Sequence, residues 1–176
     1  MNKKLTSREK LLQAAQEHLL EKGATDFTVR AIASRAGVNH GLVHHYFGSM
    51  EGLTTELLRH FAEQKFAQVA SSLEEAQGCH SELCKSAGQI HDPVFAKLFL
   101  AFFQLGDSMP CLCEAHAEIA NQRRRQIAHL LGLGEQEARI LQSLVIGGLI
   151  LSRLDPGFNV GLLMELCLTY FQKTEL

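Results

Sequence analysis

Tryptophan is missing from the 176 residues, tyrosine occurs only twice, and proline only three times, at Pro93, Pro110 and Pro156. So few breakers leave long intervals free to run as helix, and most carry apolar residues at three-and-four spacing, which predicts an all-α fold. No uninterrupted apolar stretch approaches the ~18 to 20 residues that a membrane span requires. The longest, Leu144 to Leu151, is too short, so no membrane association is expected. Met1-Asn2-Lys3-Lys4 leads into a polar segment without an apolar core or small-residue cleavage site, and the expected location is the cytoplasm. The five cysteines, Cys79, Cys84, Cys111, Cys113 and Cys167, are odd in number and lack CxxC spacing. A disulfide framework is therefore not expected, and buried thiols are the default. A Gly-rich phosphate loop, a nucleophile elbow, an HExxH pair and a clustered acid pair are all lacking, so no enzyme, cofactor or metal site is expected.

What is present is an ordinary globular balance, 46% hydrophobic and 20% charged, in a chain long enough to bury a real core. The net charge of −2 is unevenly spread. Residues 1–60 hold eight Lys and Arg against six Asp and Glu, together with five of the nine histidines, while the remainder is acidic. This mild asymmetry places any affinity for nucleic acid at the N-terminal side. Thr6-Ser7-Arg8-Glu9 reads as a capping box opening a first helix, with Leu12, Ala15 and Leu19 on one face and Lys22-Gly23 at its end. Thr28 is placed to cap a second helix with Ile32, Ala33 and Ala36 inward, and Gly37 supplies the stop. Asn39 then caps a third, from about His40 to Phe47, whose Val43, Tyr46 and Phe47 share an inward face. Ser49 opens a long fourth helix reaching about Gln77, roughly 28 residues and so ~42 Å. Helices are further expected near Ser81 to Ile90, after Asp92-Pro93, from about Cys111 to Leu131, from Glu135 to Leu154 and from Val160 to Lys173.

The stretch Phe27 to Phe47 has the pattern of a helix-turn-helix. Small Ala33 and Ala36 allow a close crossing, Gly37 accepts a positive φ, and Val38 fills the angle between the helices. The outward residues of the third helix, His40, Gly41, His44 and His45, are then aimed at a major groove, which a helix of this size fits.

Through Thr28-Val-Arg-Ala-Ile-Ala, Ala36-Gly-Val, Gly41 and Tyr46-Phe47-Gly48-Ser49, the segment Arg8 to Leu58 resembles the tetracycline-repressor (TetR) family of bacterial transcriptional regulators. The resemblance implies a DNA-binding domain over residues 1–50 and a helical effector-binding and dimerisation domain over 51–176. It implies DNA contacts from Thr28, Arg30, Asn39, His40, Gly41, His44, His45, Tyr46 and Ser49. The implied partners are double-stranded operator DNA, a second copy of the chain in a homodimer, and a small apolar effector that releases the DNA. Such a dimer would set two reading helices about one turn of DNA apart (~34 Å) on a palindrome. His44 stands where the family commonly has Tyr, and Met50 where it usually has a phosphate-binding Lys. The free amides of the fourth helix start are left to meet that phosphate. Imidazoles gain charge on mild acidification, so this surface is expected to hold DNA more tightly at lower pH.

Four further groupings admit two readings each. Phe95, Phe99, Phe102 and Phe103 with Met109, and with Gln104 and Asp107 as polar contacts, are either core or the lining of an apolar effector cavity. Leu144, Gly147, Gly148 and Leu151, with Leu163, Leu166, Cys167 and Tyr170 on the next helix, form either an isologous dimer interface or intramolecular core. Cys111 and Cys113, beside Glu114 and His116 and with Cys79, His80 and Cys84 as further candidate donors, have a poor spacing for zinc. A thiol- or metal-sensing repressor is the alternative they leave. Arg123-Arg124-Arg125 reads as a solvated helix turn rather than a second DNA patch, and a helical interaction module that has lost operator binding is the remaining alternative function.

Overall fold

The computed structural model describes residues 5–75, 93–155 and 157–173, and every regular element among them is helical. These are α1 (Ser7–Lys22), α2 (Val29–Ala36), α3 (Gly41–Phe47) and α4 (Met50–Glu75), followed by α5 (Pro93–Gly106), α6 (Pro110–Leu131), α7 (Glu135–Leu154) and α8 (Val160–Lys173). The helix expected near Ser81 to Ile90, with Cys79, His80 and Cys84, lies outside the described residues. No described helix is long and apolar enough to cross a membrane.

Packing divides the chain into two units, Met1–Ala62 with Lys97–Ala117, and Glu63–Ala96 with Glu118–Leu176. Residue 50, where the sequence suggests a functional boundary, falls within the first. That unit is built on local signals. The Thr6 Oγ1 accepts from the Glu9 amide at 3.2 Å while the Glu9 carboxylate accepts from the Thr6 amide at 2.8 Å, so the capping box closes as its residue types require. The Thr28 Oγ1 accepts from the Ala31 amide at 3.3 Å and starts α2, and Gly37, at φ 64° and ψ 35°, ends it in the left-handed region. Leu11, Ala15, Leu19, Ile32, Val43 and Leu53 are shut off from solvent and form the core of the reading head.

Three expectations shift here. The buried stripe of α1 runs through Leu11, Ala14, Ala15, His18 and Leu19, and Leu12 lies at its margin. His18 is core and not basic surface: its Nε2 donates to the Thr25 carbonyl at 2.8 Å and its ring meets Phe27 edge-on. Tyr46 turns outward at 39% exposed, because a helix as short as α3 buries one narrow stripe and Val43 occupies it.

In the second unit α7 packs on α8, with Leu141 at the centre of a cluster completed by Ile127, Leu131, Leu133, Val145, Phe158 and Cys167. Burial pushes the Cys167 thiol above its ordinary value, which keeps it protonated and unreactive. The turn at Arg123 is not simply solvated: Arg123 and Arg124 are half-buried, and only Arg125 is exposed.

Candidate nucleic-acid interface

The reading helix α3 is short, and its position is fixed from both ends. At its start the Asn39 Oδ1 accepts from the Gly41 amide at 2.8 Å, a turn one residue ahead of the expected cap: α3 begins at Gly41, and the N-cap position falls to His40, whose side chain makes no cap hydrogen bond. Gly48, at φ 76°, ends the helix. The Ser49 Oγ then accepts from the Gly52 amide at 3.0 Å and opens α4. Taking that amide leaves those of Met50 and Glu51, at the head of α4, outside the helix's own ladder and available to a phosphate oxygen.

The exposed surface of this unit gathers the expected contact residues. Thr28 and Arg30 at the start of α2, and Asn39, His40, Gly41, His44, His45 and Tyr46 on or beside α3, are all exposed, while Ser49 is half-buried. His45 and Tyr46 meet at 4.8 Å between ring centroids, an edge-on pair that orients both side chains. The His44 Nδ1 lies 3.1 Å from the Gly48 carbonyl oxygen. A carbonyl only accepts, so Nδ1 carries the proton and Nε2 is the atom left to face outward.

Contacts that the residue pattern did not suggest hold this surface on its frame. Arg8 of α1 forms an ion pair with Glu56 of α4 and lies over the Phe47 ring at 5.6 Å, joining three helices behind the reading surface. Arg35 of α2 donates to the Glu21 carboxylate of α1 at 2.9 Å and also reaches Glu17 at 3.7 Å. That hydrogen bond holds the Glu21 carboxyl below the usual carboxylate range. Gly52 is the third addition, since a Cβ there would stand 2.0 Å from the Phe47 carbonyl oxygen. A glycine three residues after a helix-capping serine, inside a helix where glycine is disfavoured, was its only sign in the sequence.

The other expected sites are distributed differently. Phe102 is core, 6.1 Å from Phe61, and Phe99 meets His116 at 5.4 Å, whereas Phe103 is 74% exposed. Gln104 and Asp107 are also exposed and Met109 is half-buried, all in the first unit, while the half-buried Phe95 falls in the second. Leu144, Gly147, Leu163 and Cys167 are half-buried and Gly148 is buried, but Leu151, Leu166 and Tyr170 are 46%, 62% and 65% exposed. Cys113 is exposed and Cys111 half-buried, which departs from the buried thiols expected. The Cys111 Sγ lies 3.7 Å from the Glu51 carboxylate and the Cys113 Sγ 3.7 Å from the Gly106 carbonyl oxygen. Among the described residues no three His, Cys, Asp or Glu side chains are placed to hold a metal.

Residues 11–57, which span the capped helices and the start of α4, match the family model described as bacterial regulatory proteins, tetR family. Over these residues the chain is similar to the TetR family. The HTH-type transcriptional regulator BetI of Brucella suis is 32% identical over 76 residues, which span 43% of this chain and 38% of that relative. The match to the TetR relative thus covers less than half of either protein. The fold extends further. A transcriptional regulator from Rhodococcus sp. Rha1 superposes with a TM-score of 0.78 at 21% identity, covering 96% of this chain and 97% of that one. The multidrug binding protein EbrR, complexed with ethidium, superposes at 0.78 and 21% identity, covering 94% and 98%. At such identities the two structures establish the fold alone, an N-terminal helix-turn-helix followed by a helical region.

Proposed function

We propose that the chain is a transcription regulator that binds a palindromic operator as a homodimer and is released from it by a small-molecule effector. The observation that carries this reading is the α2–α3 pair. Ile32, Ala33 and Val43 are buried, Thr28 caps the start of α2, and the outer surface presents exposed hydrogen-bonding side chains: Thr28, Arg30, His40, His44, His45 and Tyr46. A helix held this way reads base edges with side chains near its N-terminus, while neighbouring helix starts position it on phosphates. Residues 1–50 form the reading domain in this proposal, residues 51–176 the effector and dimerisation domain, and the protein acts in the cytoplasm.

The homodimer is supported by the last two helices. Ile140, Leu144, Gly147, Leu151 and Leu154 recur at four-three spacing along α7 and include three strongly exposed apolar side chains, and Leu162, Leu166 and Tyr170 of α8 are exposed as well. Two-fold pairing of such stripes buries them against themselves, and a glycine at the centre lets the helices approach. The effector is supported by analogy with the ethidium complex of EbrR.

The test is footprinting of the purified protein on the DNA upstream of its own coding region. A protected palindrome with two half-sites about one helical turn apart is the expected result. Absence of protection there and across a randomised-DNA selection would overturn the proposal in favour of an interaction module.

A further inference from the structure

Two of the three consecutive arginines in α6 are held in an unusual way. Arg123 lies over the Phe66 ring at 4.4 Å and donates from Nη1 to the Gln126 side chain at 2.9 Å. Arg124 donates from Nη1 to the Gln142 side-chain oxygen at 3.3 Å, and Gln142 is itself fixed by donating to the Ala120 carbonyl at 3.0 Å. The partners of both guanidinium groups are therefore an aromatic face and neutral amides, with no carboxylate among the described residues. The Nε of each arginine is closed off from solvent and donates to no acceptor among the described residues. All of these residues lie in the second unit.

An unpaired, partly buried cation is a costly arrangement, and replacing one by an apolar side chain of similar size is often neutral or stabilising. The Nε–Nη edge of a guanidinium matches a two-oxygen acceptor, which a carboxylate or a phosphate supplies. The Phe66 ring lies against the Arg123 guanidinium and offers an apolar surface there. We infer that Arg123 and Arg124 bind the anionic head of a small organic acid, a carboxylate or a phosphate monoester, with its hydrocarbon part against Phe66. The Nε–H groups donate to the head's oxygens and so find the acceptors they lack. This deepens the proposed effector by giving it a negative charge; it rests on that reading for its regulatory consequence, whereas the binding itself stands apart.

The test measures thermal stability and affinity of the full chain with octanoate, octyl phosphate, octanol and octylammonium. One or both anions raise the melting temperature in a concentration-dependent way, and which of them does so identifies the head group; octanol and octylammonium leave it unchanged. Arg123→Met and Arg124→Met melt no lower than the parent without ligand, and each weakens anion binding tenfold or more. Equal stabilisation by octanol, no stabilisation by either anion, unchanged affinity in both variants, or a lower melting point of the ligand-free variants would each overturn the inference, the last by showing the arginines to be structural. Operator binding is measured in parallel. Anion binding without any operator would remove the regulator reading and leave this one, and operator binding without an anion response would do the reverse.

Discussion

Gly52 of α4 passes so close to Phe47 of α3 that a Cβ at residue 52 would stand 2.0 Å from the Phe47 carbonyl oxygen. This close approach sets where the reading helix sits on the first turn of α4. Gly52→Ala forces the two backbones apart, an overpacking cost of roughly 1–3 kcal/mol. The expected outcome is a lower melting temperature and a loss of operator affinity of at least tenfold, read by thermal denaturation and gel shift.

Stability and recognition separate cleanly at two positions near the surface. Thr6→Ala removes one half of the α1 capping box and is expected to cost about 1 kcal/mol, a fall of about 2–4 °C in melting temperature, with operator affinity retained. Arg30 is exposed and makes no ion pair among the described residues. Arg30→Ala should leave the melting temperature in place, weaken operator binding roughly tenfold, and reduce the salt slope by about 1. An unchanged salt slope would take Arg30 off the DNA.

The hydrogen bond from His44 Nδ1 to Gly48 leaves Nε2 without a proton in the neutral ring, an acceptor on the exposed face of α3. His44→Phe removes that acceptor and is expected to weaken operator binding several-fold in a gel shift while the melting temperature stays in place. Unchanged affinity would take His44 off the DNA.

His116 makes the stability of the fold depend on pH. Burial disfavours its charged form and holds its titration below the ordinary 6.5. As pH falls below about 6.5 the unfolded chain takes the proton first, so this contribution to stability, whole above that pH, is lost progressively down to the depressed folded value. Denaturant titrations between pH 8 and 5 should show His116→Phe with a shallower loss than the parent.

Leu151 and Leu166 are 46% and 62% exposed within one chain, which makes them sensitive reporters of association. Leu151→Glu with Leu166→Glu is expected to convert a dimer to a monomer in sedimentation while the helical circular-dichroism signal persists. A double variant that remains dimeric would place the interface elsewhere.

Helix starts and stops were legible in the chain because each is signalled by residue types within a few positions: Thr6 with Glu9, Thr28, Gly37, Asn39 and Ser49 all act locally as their chemistry demands. The limits of α7 and α8 follow the same logic, and the spacing of Ala33, Gly37 and Val43 was enough to specify a helix-turn-helix. The direction of a residue at the edge of a short helix was less legible. Tyr46 fits either face by periodicity, and the competition with Val43 for the one buried stripe sends it out.

The small, locally coded reading head could thus be inferred from the order of its residues, because caps, turns and helix faces depend on neighbours a few positions away. The anchoring of that head and the state of the arginines could not. Arg8 meets Glu56 across 48 positions, Gly52 owes its necessity to a carbonyl of another helix, and Arg124 meets Gln142 across 18 positions. Whether a charge is solvated, paired or left with an orphaned donor depends on what folding brings beside it, and no local pattern in the helix turn 123–125 carries that information.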